Sequence, residues 1–242
     1  MPAAALSIPI SETFLSVQGE GKRTGMPSFF IRASGCNLRC GWCDTPYASW
    51  NPDGAPQTID SLLAAALASN APDIVITGGE PMLFDAIEPL SQSLRAAGKT
   101  ITIETAGTIA RPAATLACDL MSISPKLANS TPLLGDPRDP SAHWRTRHEQ
   151  LRLNLPALQS LLTSFPTHQL KFVVTSPADL PEIESLLTSL TGWQPQDILL
   201  MPEGVTVPAP GSQDWLITEC CRRGWRYCPR LHIALFGNTR GT

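Results

Sequence analysis

Short apolar runs rich in β-branched residues alternate with Ala- and Leu-rich segments along most of the chain, and this alternation restricts the possible folds more than any other feature. The runs predict strands at residues 29–32, 73–77, 100–104, 120–123, 170–174, 198–201 and 231–235. The segments between them predict helices at residues 59–67, 84–97, 177–190 and 215–223, the first capped by Thr58 and the second ended by Gly98. This order of elements predicts an α/β fold with a mainly parallel sheet, whose chemistry lies at the carboxyl ends of the strands.

The composition excludes several classes of protein. The 242 residues are 43% hydrophobic and 16% charged, which is typical of a globular chain and excludes a disordered one. A net charge of −3 gives no electrostatic footprint for direct binding of nucleic acid. No apolar run approaches the roughly 20 residues that span a bilayer, and residues 1–10 lack the regions of a signal peptide. We therefore expect a cytoplasmic protein that contacts no membrane and folds as one domain over residues 1–242.

Cys36, Cys40 and Cys43 lie in one short segment with the spacing C-x3-C-x2-C. Because thiols stay reduced in the cytoplasm, cysteines this close together indicate a metal site rather than disulfides. Three thiolates on a four-iron cluster leave one iron free to bind another molecule, whereas a structural zinc site needs a fourth ligand. The spacing therefore predicts a [4Fe–4S] cluster with one open iron. A zinc site with a distant fourth ligand and three unconnected thiols are the alternatives.

Three predicted strands end in residues suited to contact a bound ligand. In the run Gly78-Gly79-Glu80-Pro81 the glycines let the backbone approach a ligand closely, and the carboxylate suits an ammonium group. The alternative is a plain turn with proline at the start of a helix. Glu104 and Lys126 follow two further strands, where each could contact a nucleoside or belong to an ordinary turn or loop.

Several segments together resemble the 7-carboxy-7-deazaguanine synthase family of the radical S-adenosylmethionine (SAM) superfamily. They are SVQGEG (16–21), GMP (25–27), FFIR (29–32), the cysteine loop running to Thr45, TGGEP (77–81), ETAGT (104–108), SPK (124–126) and FGNTRG (236–241). The resemblance covers most of the chain apart from about residues 129–169, a variable insertion. Within it, the polar, proline-rich stretch at residues 129–154 predicts a loop with some helix.

This resemblance implies an incomplete (β/α) barrel of the radical SAM type, with SAM bound at the open iron. It implies a ring contraction of 6-carboxy-5,6,7,8-tetrahydropterin to 7-carboxy-7-deazaguanine with loss of ammonia, which feeds 7-deazapurine and most often queuosine synthesis. Mg²⁺ is implied as an added cofactor, a homodimer as the assembly, and a flavodoxin or ferredoxin as the reductant.

Transferred residue by residue, the resemblance implies three sets of site residues. The metal ligands are Cys36, Cys40 and Cys43 for the cluster and Thr45 for Mg²⁺. The substrate contacts are Val17, Gln18, Gly19, Arg32, Thr77 and, by analogy, the C-terminal Thr242. The SAM contacts are Trp42, Cys43, Asp44, Gly78, Gly79, Glu80, Glu104, Ser124, Pro125, Lys126 and, from a segment that departs from the family pattern, Met201, Pro202, Glu203 and Gly204.

For other residues whose side chains could bind a ligand or metal, a structural role is considered as well. The Arg32 guanidinium suits a substrate carboxylate, and a salt bridge at the barrel rim is the alternative. His143 and His148 lie in a charged stretch and are expected on a solvated surface. Cys220 and Cys221 are neighbours on a predicted helix and face different ways, so these two and Cys228 are expected to share no metal. Cys118 lies in an apolar run and is expected in the core.

Two other functions fit the cysteine loop. A glycyl-radical enzyme activase shares the loop but acts on a protein. The turn at residues 17–21 and Arg32 suit a small anionic substrate, and they argue against an activase. A non-catalytic iron–sulfur or zinc protein is the remaining alternative.

Overall fold

The computed structural model describes residues 6–242, and these form a nine-stranded sheet in the order β3-β1-β2-β4-β5-β6-β7-β8-β9. The strands are β1 (Ser7–Val17), β2 (Pro27–Ala33), β3 (Ala55–Thr58), β4 (Asp73–Gly78), β5 (Thr100–Thr105), β6 (Leu120–Ile123), β7 (His168–Val174), β8 (Ile198–Pro202) and β9 (Arg226–Tyr227). The helices are α1 (Ile59–Ala68), α2 (Ile87–Ala96), α3 (His143–Leu151), α4 (Leu155–Ser164), α5 (Leu180–Thr188), α6 (Asp214–Arg223) and α7 (Leu231–Phe236).

The predicted mainly parallel sheet is confirmed. Every strand pair from β2 to β9 is parallel, and β1 alone runs antiparallel to its neighbours β2 and β3. Strands β3 and β9 are the two edges of the sheet and do not pair with each other, so the barrel is incomplete. Because the central strands share one direction, their carboxyl ends meet at one edge, where Arg32 lies opposite Thr77.

Side chains along the parallel strands alternate between two environments with a period of two residues. On one face Ile31, Ile76 and Phe172 belong to the main apolar core, which also includes residues of the helices. On the other face the same strands present polar or smaller side chains near their carboxyl ends: Arg32, Thr77, Glu104, Lys171, Val173 and Met201. The sequence therefore separates a core face from a face that is free to line a cavity.

Helix boundaries follow local capping chemistry. The Thr58 hydroxyl accepts a hydrogen bond from the Ser61 N–H at 3.2 Å, as a helix cap at this position predicts. Helix α2 begins at Ile87 rather than at the predicted residue 84, because residues 81–83 form a 3₁₀ turn and Phe84 is extended. Within residues 6–242 no helix combines the length and apolar character needed to cross a membrane.

One predicted element is wrong. Residues 231–235 form helix α7 instead of a strand, and a five-residue apolar run cannot by its pattern alone be assigned to either type. The stretch at 129–154 is loop with some helix, as predicted, since it contains α3 next to irregular segments. Helix α4, which follows it, was not predicted. The sequence reading also missed the long antiparallel strand β1.

Gly78→Ala is expected to lower the free energy of unfolding more than Gly98→Ala does. Both glycines have positive φ, so alanine at either position costs about 1–2 kcal/mol in backbone strain. Only at Gly78 would the added Cβ meet backbone, 2.2 Å from the Ala33 carbonyl oxygen, whereas at Gly98 nothing lies within 4 Å. Urea unfolding of both variants measures the difference, and equal losses would contradict this close packing of β4 on β2.

Candidate active site

A cavity of about 420 Å³ opens where the carboxyl ends of the parallel strands meet, on the sheet face opposite the main core. Its walls come from the cysteine loop, from the turn after β1 and from the ends of β2, β4, β5, β7 and β8. This is the place where parallel sheets carry their ligands, and the volume lies in the range of small-molecule sites.

Most of the predicted site residues line this cavity. They are Val17, Gln18, Gly19, Arg32, Cys36, Cys40, Trp42, Cys43, Asp44, Thr45, Thr77, Gly78, Gly79, Glu104, Ser124, Lys126, Met201, Glu203, Gly204 and Thr242. Pro125 and Pro202 do not line it, because each is buried between two neighbours that do. In an extended segment, successive side chains point to opposite faces.

Glu80 also does not line the cavity, so the structure does not support the predicted contact of its carboxylate with SAM. Its carboxylate is fully buried and accepts hydrogen bonds from the Met82 N–H at 3.0 Å, the Thr105 hydroxyl at 2.8 Å and the Ala106 N–H at 2.8 Å. Burial raises the pKa of Glu80, and these three donors oppose that effect. Glu80 therefore joins the turn after β4 to the end of β5 and leaves Gly79 at the cavity surface.

The three cysteines of the loop all line the cavity. The Arg39 guanidinium folds back over the loop and donates to the carbonyl oxygens of Cys36 and Leu38, both at 2.8 Å. The Leu38 N–H donates to Cys36 Sγ at 3.4 Å, and the Trp50 indole N–H donates to the Cys40 carbonyl at 2.9 Å. These bonds fix the loop backbone so that its sulfurs face one space.

These three cysteines fit a cluster in which each thiolate binds a different iron atom. Among the described residues, no three His, Cys, Asp or Glu side chains are grouped closely enough to hold a single metal ion. Burial raises the pKa of Cys36 to about 12 and also raises that of Cys40, so metal binding must displace their protons. Three sulfurs around one cavity are the ligands that the predicted [4Fe–4S] cluster requires.

Helix α3 supports the cysteine loop from outside the cavity. His148 is fully buried on this helix, so the prediction of a solvated histidine is wrong. Its Nδ1 accepts a hydrogen bond from the Arg39 N–H at 3.2 Å, and its Nε2 lies 2.8 Å from the Ser130 hydroxyl. The Gly41 N–H donates to the Ser130 carbonyl at 2.7 Å. One buried pair, His148 and Ser130, therefore binds the backbone N–H groups on both sides of Cys40.

These contacts require a neutral imidazole. The Ser130 hydroxyl donates to the Leu127 carbonyl at 2.6 Å, so it accepts from His148 Nε2–H, and Nδ1 is left as the acceptor. Burial lowers the pKa of His148 to about 4, which keeps the ring neutral at physiological pH. A proton on Nδ1 would face the Arg39 N–H and break the contact.

Glu104 lies between two of the predicted substrate contacts. Its Oε1 accepts from the Gln18 side-chain amide at 3.1 Å, and its Oε2 accepts from the Thr77 hydroxyl at 2.8 Å. All three residues line the cavity, and they come from the turn after β1, from β4 and from β5. They form one polar wall that offers both donors and acceptors.

The sequence reading missed a charged network in the cavity. Glu20 pairs with Lys171 and Arg230, and Arg230 also pairs with Asp44. Burial alone would raise the pKa of Glu20, but Lys171 and Arg230 outweigh it and hold that pKa well below its usual range. The partners lie 151 and 210 residues away along the chain, and the only sequence signal was Glu20 within the Q-G-E-G turn.

Both interpretations of Arg32 have support in the structure. Its Nε donates to Glu12 at 2.7 Å, and Tyr47 donates to the same carboxylate oxygen at 2.8 Å. Arg32 also lines the cavity, so its other nitrogens are placed beside the ligand space. The tail at residues 238–242 lines the cavity too, and Arg240 anchors it to Glu12 at 3.2 Å.

The remaining cysteines do not line the cavity. Cys220 is buried and Cys221 is exposed, which confirms that these neighbours on α6 face different ways. Cys118 is half-buried against the main core, and Cys228 is buried and accepts the Gly21 N–H at 3.1 Å.

Comparisons with known proteins show which sequences this chain is similar to. The Radical SAM superfamily model matches residues 30–152. The chain is 46% identical to the 7-carboxy-7-deazaguanine synthase of Rhodopirellula baltica, over 99% of this chain and 91% of the relative. It is 43% identical to that of Halobacterium salinarum, over 98% of this chain and 93% of the relative.

Solved structures show the same architecture. The crystal structure of QueE from Escherichia coli matches with a TM-score of 0.68 and 27% identity, over 93% of this chain and 95% of that one. Streptococcus suis SuiB bound to its precursor peptide SuiA matches with a TM-score of 0.52 and 13% identity, over 82% of this chain and 47% of that one. The likeness to SuiB concerns the fold alone.

His148→Leu is expected to release iron from the reconstituted protein about ten-fold faster than His148→Asn does. Leucine fills much of the same volume but leaves the buried Arg39 N–H without an acceptor, whereas the asparagine oxygen can replace Nδ1. Bleaching of the cluster absorbance in the presence of an iron chelator measures the rates, with thermal unfolding of both apoproteins as the control. Equal rates for the two variants would show that the hydrogen bond does not hold the loop.

Proposed function

The chain belongs to the 7-carboxy-7-deazaguanine synthase family of radical SAM enzymes, and from this premise we propose how its cavity holds the cofactors and the pterin. The enzyme is a lyase that uses a [4Fe–4S] cluster and SAM. One observation carries the assignment of the site: the three cysteines and the polar wall of Gln18, Thr77 and Glu104 line the same cavity. A small-molecule cavity beside the cluster ligands also argues against an activase that acts on a protein.

Cys36, Cys40 and Cys43 would hold the cluster and leave one iron for the amino and carboxylate groups of SAM. When bound, the cluster and SAM together supply the 5′-deoxyadenosyl radical that starts the reaction. Gly79 is a SAM contact in the proposal, and the lack of a Cβ lets it pack against the cysteine loop, since a Cβ there would lie 2.2 Å from the Gly35 carbonyl oxygen. The other SAM contacts in the proposal are Trp42, Asp44, Gly78, Ser124, Lys126, Met201, Glu203 and Gly204.

The pterin carries a carboxylate and an edge rich in hydrogen-bond donors and acceptors. Glu12 fixes the plane of the Arg32 guanidinium through Nε, so the terminal nitrogens can bind the substrate carboxylate. Glu104 is held between Gln18 and Thr77 and can accept from the pterin edge. Further substrate contacts in the proposal are Val17, Gly19 and the C-terminal Thr242.

Thr45 would contribute a hydroxyl to Mg²⁺, a hard ion that favours oxygen ligands and keeps several waters. Its Oγ1 lies 3.8 Å from Cys43 Sγ and lines the cavity, so an ion there would adjoin the cluster ligands. A bound Mg²⁺ would also attract the substrate carboxylate.

The location, assembly, reductant and pathway in the proposal are taken from the family. The enzyme works in the cytoplasm as a homodimer of one-domain chains, each with a variable region at about 129–169. A flavodoxin- or ferredoxin-type protein supplies the electron, and the product enters 7-deazapurine synthesis, most often toward queuosine.

The anaerobically reconstituted enzyme, given carboxytetrahydropterin, SAM, Mg²⁺ and dithionite, is expected to form 7-carboxy-7-deazaguanine, and mass spectrometry detects it. Cys40→Ala removes one cluster ligand and is the matched control, which is expected to form no product. A wild-type enzyme that cleaves SAM yet forms no deazaguanine in the presence of the pterin would contradict the substrate assignment.

Arg32→Lys is expected to raise the KM for the pterin about ten-fold or more, because lysine keeps the charge but loses the planar fork that binds a carboxylate. Arg111→Lys is the control, since Arg111 pairs with Asp85 and Glu88 and does not line the cavity. Steady-state kinetics give the KM. A lower melting temperature with an unchanged KM would assign Arg32 to the Glu12 salt bridge alone.

A further inference from the structure

The tail at residues 238–242 forms part of the cavity wall, yet little of its own structure holds it there. It contains no apolar side chain that could be buried in a core. Within residues 6–242, no hydrogen bond between backbone groups joins the tail to another segment. The hydroxyls of Thr239 and Thr242 donate only to carbonyls three residues earlier in the chain, at 2.7 and 2.8 Å. The tail therefore lacks the apolar burial and backbone pairing that hold the strands around it.

Arg240 is the residue that attaches the tail to the rest of the molecule. Its Nε donates to Glu12 at 3.2 Å and its Nη1 to Asp53 at 2.7 Å. Its Nη2 donates to the Ser11 carbonyl at 2.9 Å, and its guanidinium carbon lies 4.1 Å from the centre of the Tyr47 ring. In the described part of the chain, no other side chain of the tail bonds to a residue outside the tail and α7. One guanidinium thus makes every long-range polar contact of this wall.

The Glu12 carboxylate holds the tail and the proposed substrate clamp at the same time. Its Oε1 accepts from Arg32 Nε at 2.7 Å and from the Tyr47 hydroxyl at 2.8 Å, while its Oε2 accepts from Arg240. The Glu12 side chain is only 11% exposed, so its position is well defined. A change in the tail therefore reaches Arg32 through one shared carboxylate.

The second anchor lies outside the ligand space. Asp53 does not line the cavity, and its side chain is 40% exposed. Arg240, its partner, is 44% exposed. Because ion pairs this exposed contribute little to stability, the attachment at Asp53 can break and form again without unfolding the wall.

We propose that Arg240 is a positioning residue for the pterin, which closes the tail over the substrate part of the cavity through its anchors Glu12 and Asp53. The proposal rests on the proposed function, which places the pterin carboxylate at Arg32. Closure also fixes Thr242, a proposed substrate contact two residues after Arg240. A tail that is ordered before the substrate binds lowers the entropic cost of binding. The proposed SAM contacts lie in other segments, so Arg240 acts on the pterin and not on SAM.

The first test weakens an anchor that the ligand does not touch. Asp53→Asn is expected to raise the KM for the pterin about three-fold, the size of effect that loss of one exposed ion pair allows, with kcat and the KM for SAM unchanged. Arg240→Gln loses both anchors and is expected to raise it about five-fold. The double variant is expected to match Arg240→Gln, because Asp53 reaches the tail only through Arg240. Asp85→Asn is the control, since it removes an exposed carboxylate paired with Arg111 that does not line the cavity.

The second test follows the tail itself and needs no turnover. Carboxypeptidase Y removes Thr242 from the anaerobically reconstituted enzyme, and intact mass spectrometry gives the rate. Removal is expected to be about three-fold faster from Asp53→Asn than from the unchanged enzyme or Asp85→Asn, with equal melting temperatures. SAM and the pterin, added without a reductant, are expected to slow removal from the unchanged enzyme.

Each outcome decides the proposal. A higher KM for the pterin alone, together with faster removal of Thr242 from Asp53→Asn, supports it. If Asp53→Asn changes neither quantity, the proposal is overturned even where Arg240→Gln raises the KM, because Arg240 then contacts the ligand directly. Equal rises in the KM for SAM and for the pterin, with a lower melting temperature, also overturn it. If the unchanged enzyme makes no deazaguanine, the proposed function fails, while the carboxypeptidase rates still test the anchor.

Discussion

The parallel register of the central strands is the constraint on which the rest of this structure depends. It brings the carboxyl ends of β2, β4, β5, β7 and β8 to one edge, and the period of two then divides each strand between core and cavity. Ile31 packs in the core while Arg32 lines the cavity, and Ile76 and Thr77 repeat this pattern on the next strand. A shift of one residue in any pairing would bury a polar side chain in the core and expose an apolar one to the ligand.

The geometry of the cysteine loop depends on hydrogen bonds that are made away from the cavity. The guanidinium of Arg39 satisfies two loop carbonyls, and His148 and Ser130 bind the N–H groups that flank Cys40. Arg39, His148 and Ser130 are buried, so a lost bond to one of them would leave a buried polar atom without a partner, at a cost of about 1–3 kcal/mol. The helix that carries His148 therefore contributes to the cluster site although none of its residues is a ligand.

Features encoded by local sequence were predictable, and those that depend on distant partners were not. Strand β6 matches the predicted 120–123, and the Thr58 cap is where the pattern placed it, since both need only neighbouring residues. His148 looked solvated because the charged residues around it concealed an acceptor role toward Arg39, 109 residues away. Glu80 looked like a ligand contact because its donors from the end of β5 are not visible in the G-G-E-P motif.

The pairing of charges also separates the cavity cations that already have a carboxylate partner from the one that has none within the described chain. Lys171 and Arg230 are held by Glu20, and Arg32 by Glu12, so an incoming carboxylate must share them with an existing partner. Lys126 lines the cavity without an ion pair in the described chain, 2.9 Å from the Ser124 hydroxyl and 5.5 Å from the centre of the Trp42 ring. A ligand carboxylate beside Lys126 would gain a charge partner without breaking a salt bridge, which supports the proposal that Lys126 contacts SAM.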